Sequence, residues 1–273
     1  ASDSDSSELS WSVLTHPEHG LATVSGSGIS PSVFTYEPVA NFSGTDSLVL
    51  IVSDGNQSDE ITINVTVDGV EDVPVIAEGS LIHVSMSEDG APAAWVPPEL
   101  NASDGDGDLL TWDLLFSANR GIATVAGVGS APTVLSYVPN NDFAGTDRFV
   151  IKVSDGIYSA AITMEVRVNQ VNDPPVIREG EFVNSTMSVN GLVLPWAPPK
   201  ITAGDVDGDA LTWSLRKPPA HGTATVEGFG RSPSVLLFTP EENFVGKDSF
   251  EVEVSDGSST DFITIDVDVI FIE

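Results

Sequence analysis

Hydrophobic and polar residues alternate with a period of two along much of this 273-residue chain. Leu9, Trp11 and Val13 are separated by polar neighbours, as are Leu110, Trp112, Leu114 and Leu211, Trp213, Leu215. A second set runs Leu48, Leu50, Val52, then Phe149, Ile151, Val153, then Phe250, Val252, Val254. A third runs Ile61, Ile63, Val65, Val67, then Ile162, Met164, Val166, Val168, then Ile263, Ile265, Val267, Val269. A period of two sends successive side chains to opposite faces of a strand. The positions between drift freely, Thr62, Asn64, Thr66 against Thr163, Glu165, Arg167, as on a sheet with one buried face. Glycine, proline, asparagine and aspartate gather between the runs, and no stretch has a 3.6-residue period. The expected fold class is all-β.

These runs recur at a fixed offset of 101 residues, which also links Trp11, Trp112, Trp213 and Gly20, Gly121, Gly222. The triplets Ser53-Asp54-Gly55, Ser154-Asp155-Gly156 and Ser255-Asp256-Gly257 keep the same offset. The expected domains are 1–71, 72–172 and 173–273, each a β-sandwich of roughly seven strands. They meet at Val70-Glu71-Asp72-Val73-Pro74 and Val171-Asn172-Asp173-Pro174-Pro175, short acidic connections stiffened by proline. The first unit lacks the 30 positions that correspond to residues 72–101. In the second unit that stretch carries Ile82, Val84, Met86 and Trp95-Val96-Pro97 and reads as a first strand and its connection. The first sandwich is therefore expected to expose an edge strand and an apolar groove. Two explanations stand: the chain is a fragment of a longer array, or a neighbouring subunit donates a strand and the protein builds a fibre. Residues 267–272 match the last strand of the other units and offer no spare segment to donate.

Composition narrows the function classes. The chain has 41 acidic and 10 basic side chains, a formal charge of −31, which argues against nucleic acid and anionic membrane surfaces. There is no cysteine, hence no disulfide framework or thiolate chemistry. With 41% apolar and only 19% charged residues the composition is globular. No apolar run approaches the ~20 residues of a membrane span. The sequence begins at Ala1 without a basic-then-apolar leader, so targeting information is expected to lie outside it.

The acidic residues recur at three places per unit. One is a turn: Asp3 and Asp5, then Asp104, Asp106 and Asp108, then Asp205, Asp207 and Asp209. The second is the Ser-Asp-Gly aspartate, Asp54, Asp155 or Asp256, and the third is the joint, Glu71 and Asp72 or Asn172 and Asp173. Carboxylates at alternate turn positions repel one another, and a hard cation with six to eight oxygen ligands is their natural companion. Calcium fits better than magnesium, because many protein oxygens in flexible geometry suit the larger ion. An EF-hand does not fit, since its sixth and twelfth places fall on Ala210 and Arg216 when counted from Asp205. The plain alternative is a set of solvated acidic turns.

Residues 102–112 (ASDGDGDLLTW), Val-Asn-Asp-Pro-Pro at 171–175 and FEVEVSDG at 250–257 resemble the cadherin-like tandem repeats of large bacterial surface proteins and adhesins. The resemblance covers essentially the whole chain. It implies three tandem Greek-key β-sandwiches of the cadherin/immunoglobulin type in an elongated array, with calcium at each joint. The ligands implied are Asp72 or Asn172 and Asp173 from the joint, Asp104 and Asp106 or Asp205 and Asp207 from the next turn, and Asp155 or Asp256. A glutamate of the preceding unit would match Glu88; the third unit departs, with Val189-Asn190-Gly191 there.

Other chemistry is sparse. His16, His19, His83 and His221 form no metal spacing, and neither a Gly-x-Ser-x-Gly elbow nor a phosphate-cradling glycine loop occurs. Trp95 and Trp196 share a register before Pro-Pro and read as packing residues or as platforms for sugar rings. Sequons stand at Asn41, Asn56, Asn64, Asn101 and Asn184. The sequence thus points to a non-enzymatic, calcium-stiffened spacer or adhesion segment of an extracellular surface protein. Its expected partners are its own adjacent repeats. The alternative is a module that grips polysaccharide or other copies of itself, and a third reading is an accessory region of a secreted enzyme.

Overall fold

The computed structural model describes residues 1–4, 8–189, 191 and 193–272. The candidate ligand Asp5, and Asn190, which shares the repeat register of Asp89, lie outside them. Among the described residues there are strands, turns and bends and no helix.

The first repeat has β1 (Ser10–Thr15), β2 (Gly20–Ser25), β3 (Val33–Pro38), β4 (Gly44–Ser53) and β5 (Ser58–Val67). The second has β6 (Val75–Ile76), β7 (Leu81–Ser87), β8 (Ala102–Ser103), β9 (Thr111–Phe116), β10 (Gly121–Val128), β11 (Val134–Pro139), β12 (Gly145–Ser154) and β13 (Ser159–Asn169). The third has β14 (Val176–Ile177), β15 (Phe182–Ser188), β16 (Ala203–Gly204), β17 (Thr212–Lys217), β18 (Gly222–Phe229), β19 (Val235–Pro240), β20 (Gly246–Ser255) and β21 (Thr260–Ile270). The chain divides into two compact units: residues 1–84, 96–138 and 147–166 form one, and 85–95, 139–146 and 167–273 the other.

In the second unit the sheet order is β15-β21-β20-β17-β18-β19, with β14 and β16 as a separate short pair. β17 and β18 pair over three residues only, from Thr212↔Phe229 to Ser214↔Glu227, whereas β18 and β19 pair over six. β15 runs parallel to β21, from Phe182↔Thr264 to Ser188↔Ile270. The alternating apolar positions meet between these layers: Trp213, Val226, Phe238, Phe250, Val252, Ile263, Ile265 and Val267 belong to one buried cluster.

In the first unit, β11-β10-β9-β12-β13-β7 repeats that order, and Trp112, Tyr137, Phe149, Ile151, Ile162 and Met164 are fully buried. The first repeat is thinner. It has a three-stranded β1-β4-β5 sheet and a β2-β3 pair, and its buried core is Ala22, Leu48 and Leu50. Nothing among the described residues pairs with the outer edge of β5. Ile61 on that strand is 52% exposed, whereas its counterparts Ile162 on β13 and Ile263 on β21 are 0% exposed.

One polar feature recurs in every core. Asp46, Asp147 and Asp248 are buried carboxylates at the start of β4, β12 and β20. Asp147 accepts hydrogen bonds from the backbone N–H of Asn119 (3.0 Å), Arg120 (2.8 Å) and Arg148 (2.8 Å), and from the Tyr137 hydroxyl (3.0 Å). Asp46 takes the same four from Glu18, His19, Ser47 and Tyr36. Asp248 has only the three backbone donors, because Phe238 stands where the tyrosine would be. Burial and the Asp147 carboxylate together push the Tyr137 hydroxyl well above its ordinary value. The aspartate closes the loop before β2, β10 or β18 by satisfying backbone donors that packing removes from water.

Candidate functional site

The Ser-Asp-Gly triplets form tight turns. In the second repeat Asp155 Oδ1 accepts the N–H of Ile157 and Tyr158, both at 2.6 Å, and the Ser154 hydroxyl donates to the Tyr158 carbonyl at 2.8 Å. Asp54 and Asp256 make the same pair of bonds. Gly55, Gly156 and Gly257 take φ between 94° and 106°, the left-handed region that favours glycine. One carboxylate oxygen thus builds the turn, and the second is left over for another partner.

At the first joint Asp72 N–H donates to Asp106 Oδ2 at 2.7 Å, while Asp106 and Asp108 N–H donate to Asp104 Oδ1 at 3.0 and 3.3 Å. Gly105 lets the joint close in, since a Cβ there would meet the Asp72 carboxylate. Glu71 has its carboxyl raised by loss of water contact and by repulsion from Asp108, Asp106, Asp155 and Asp104. The loop before β4 completes a groove of about 270 Å3, lined by residues 38–43 and 68–70 with Asp72 and Asp106.

At the second joint Asp173 N–H donates to Asp207 Oδ2 at 2.7 Å, and Asp209 N–H to Asp205 Oδ1 at 3.0 Å. Asn172 Nδ2 donates to Asp256 Oδ2 at 3.0 Å. Glu88, 8% exposed, accepts the Val171 N–H at 2.6 Å. Loss of water contact, then repulsion from Asp89, Asp207, Asp142 and Glu88, raises the Asp173 carboxyl. Glu88, Asp173 and Asp207 place one oxygen each within 4.8 Å of one another, as do Asp205, Asp207 and Asp209.

Among the described residues, four buried side-chain oxygens have no hydrogen-bond partner: Oδ2 of Asp104, Asp155, Asp173 and Asp205. All four belong to residues singled out from the sequence. An ionised carboxylate oxygen only accepts, and leaving one buried without a donor or a cation is costly. These donor sets fit a hard, oxygen-seeking cation. Asp108 is exposed and falls in no three-carboxylate group among the described residues. At the start of the first repeat Asp3 repels Asp54, but the Gln57 and Asn56 N–H groups still hold Asp54 below its usual range.

The sequence reading missed two groups. Asp142, between β11 and β12, faces Asp173, yet its counterparts are Asn41 and Asn243, so no acidic recurrence marks it. The Asp46, Asp147 and Asp248 set does recur, and the Gly-Thr-Asp or Gly-Lys-Asp spelling was the signal that could have found it. Two of the four histidines pack on aromatic rings, His19 on Phe42 and His221 on Phe244, each at 4.5 Å, and His83 lies 3.0 Å from the Glu165 carboxylate. Trp196 packs beside Phe238 and Phe250 against the third repeat's core, so it is a packing residue.

The bacterial Ig domain family matches this chain three times, over residues 1–66, 71–168 and 172–268. Among solved structures, extracellular cadherin domains 1–5 of protocadherin gamma B2 align over 97% of this chain and 53% of theirs, with a TM-score of 0.56 and 13% identity, a likeness of fold. A family 107 endo-fucoidan hydrolase aligns over 96% of this chain and 39% of its own, at 18% identity and a TM-score of 0.33, too distant to speak to activity. The integrin beta-like protein A of Dictyostelium discoideum is 25% identical over 189 residues, 63% of this chain. The chain spans 10% of that curated relative's length. No helix among the described residues is long and apolar enough to cross a membrane. With three matches covering nearly its whole length, the chain belongs to the bacterial Ig domain family, built as tandem all-β, cadherin-like sandwiches.

Proposed function

We propose that this chain is a non-enzymatic spacer or adhesion segment of an extracellular surface protein, its repeats 1–71, 72–172 and 173–273 joined through calcium. The family and the cadherin-like fold support the extracellular adhesive setting. The observation that carries the calcium reading is the set of four buried, partnerless carboxylate oxygens, two belonging to the first joint and two to the second. Asp72, Asp104, Asp106 and Asp155 would hold the ion at the first joint, with Asp108 and Glu71 adding charge beside it. Asp173, Asp205, Asp207, Asp209 and Glu88 would do so at the second, with Asn172 and Asp256 orienting one another. Asp3 and Asp54 occupy the corresponding place in the first repeat. Bound calcium supplies the positive charge that lets these carboxylates stay ionised and close together. The chain's own contribution is to hold them there: Asp104, Asp155 and Asp205 each have one oxygen tied into a turn and the other buried without a hydrogen-bond partner.

A ligand that binds only the folded state adds RT ln(1 + [L]/Kd), about 2.7 kcal/mol at a hundredfold excess over Kd. Melting the protein in chelator and again in about 5 mM calcium, a concentration suited to extracellular modules, is expected to show a clear rise in the unfolding midpoint. Superimposable curves would overturn the reading. Asp205→Ala with Asp207→Ala is expected to abolish the rise contributed by the second joint and to leave that of the first.

A further inference from the structure

The hairpin of β10 and β11 ends the sheet of the second repeat, with no strand of the described residues beyond β11. Its inward positions feed the core, where Val125 and Tyr137 are buried. A sheet with one buried face turns polar residues to the other side, yet Ile122 (70% exposed), Val128 (58%), Val134 (43%) and Val138 (62%) stand there. The matching hairpins pair Leu21↔Glu37 and Ser25↔Val33 in the first repeat, and Thr223↔Thr239 and Glu227↔Val235 in the third. The 101-residue offset carries that register to Ile122 beside Val138 and Ala126 beside Val134, with Thr124 and Ser136 between them. None of these outward positions carries a charge.

The fold does not require aliphatic residues here. Thr223 and Thr239 hold the places of Ile122 and Val138 in the third repeat, Glu227 holds that of Ala126, and Glu37 holds that of Val138 in the first. The same strands form around them. Exposed aliphatic chains on two neighbouring strands present on the order of 400 Å2 of apolar surface, a size that marks interaction sites on soluble proteins. Charge selects the occupant. With a formal charge of −31, two copies of this chain repel one another, most strongly where carboxylates face carboxylates. A basic partner would be drawn to that acidic surface and not to a patch without charge. On the outer face of this hairpin, two copies can meet without setting like charges together. The nearest charge across the sheet, Asp113 beside Ala126 on β9, is matched in register by Lys152 on β12. The matching faces of the other repeats are interrupted by Glu37 and Glu227, so the patch has its own copy as its counterpart, which is an isologous contact.

We infer that the outer face of β10 and β11 is a docking surface for a second copy of this chain, hairpin against hairpin across a two-fold axis. Two such patches bury about 800 Å2 together, the range of a weak and transient contact. None of the carboxylates of the calcium reading takes part, so the two readings stand or fall separately.

Sedimentation velocity of the full chain in chelator, at concentrations up to about 1 mM to reach weak contacts, tests it. The expected result is a reversible monomer–dimer equilibrium that tightens at least several-fold between about 0.02 and 0.5 M salt, because screening removes the repulsion and leaves the apolar contact. A contact built of ion pairs would loosen instead. Ala126→Glu and Val138→Glu each place a residue that another repeat already holds there. Each is expected to leave the melting curve of the monomer unchanged and to weaken the dimer by roughly tenfold or more, since the two-fold axis sets the new charges against each other. Ile122→Thr with Val138→Thr copies the third repeat and is expected to weaken it as well. A chain that stays monomeric at both salt concentrations, a dimer that salt loosens, or a dimer that both glutamate variants leave intact overturns the inference.

Discussion

Asp147→Ala is expected to destabilise the second repeat by about 3 kcal/mol, seen as a fall in its unfolding midpoint on the order of 10–20 °C. Removing the carboxylate leaves the N–H groups of Asn119, Arg120 and Arg148 and the Tyr137 hydroxyl without their acceptor. Each buried donor left unsatisfied costs roughly 1–3 kcal/mol, offset in part where water can reach it. Asp248→Ala is expected to cost less in its own repeat, since it lacks the tyrosine donor. Equal losses at the two positions, or a loss near zero, would show that water replaces the clamp. The clamp also has an acid limit in the first repeat. Burial alone would raise the Asp46 carboxyl, but the bonds from His19, Ser47, Tyr36 and Glu18 outweigh it and hold the group below its ordinary value. That contribution is present above the unfolded carboxylate range near pH ~4 and is lost as pH falls through the lower folded value.

A copy of residues 72–101 fused ahead of Ala1 is expected to stabilise the first repeat by about 2 kcal/mol net and to protect the amides of β5 from hydrogen exchange. In the third repeat the corresponding segment lays β15 along β21 in parallel register. Carried back by two offsets, that ladder falls on residues 62–68, where β5 has no outer partner among the described residues. Ile61 is 52% exposed, whereas its counterparts are fully buried in the repeats that carry such a strand. Burying a large aliphatic side chain is worth roughly 1.5–3 kcal/mol, and ordering the added segment takes part of the gain back. Unchanged exchange along β5 would show that the groove does not accept this strand. The variant also separates the sequence's two explanations of the open edge: a donor-strand fibre should dissolve when the edge is filled in cis, whereas a monomeric fragment should only become more stable.

The strands were legible because their evidence is repeated in the chain itself. Three runs with the same inward residues distinguish a buried face from a drifting one without any second sequence, and Trp11, Trp112 and Trp213 mark the register. Each indole N–H reaches a glycine carbonyl 17 residues on, Gly28, Gly129 or Gly230. The acidic places were legible for the same reason, but the work within each carboxylate was not. Asp155 looks in sequence like one ligand. In the fold one oxygen belongs to the turn and only the other is free. Asp142 was hidden because asparagine replaces it in the other two repeats. The recurrence of Asp147 was visible in its Gly-Thr-Asp spelling, but its role as a clamp was not, because two of its partners are backbone N–H groups 27 and 28 residues earlier, which no side-chain pattern records.

The parallel pairing of β15 with β21 has a mechanical consequence. When two neighbouring strands run the same way, the chain enters the first at one end of their ladder and leaves the second at the other. Tension applied along the chain then slides β15 against β21 lengthwise. All the bonds from Phe182↔Thr264 to Ser188↔Ile270 must yield together; antiparallel neighbours pulled from one end would instead unzip pair by pair. Resistance to force is governed by the unfolding barrier and not by equilibrium stability, so the third repeat is built to bear load in shear whatever its melting temperature.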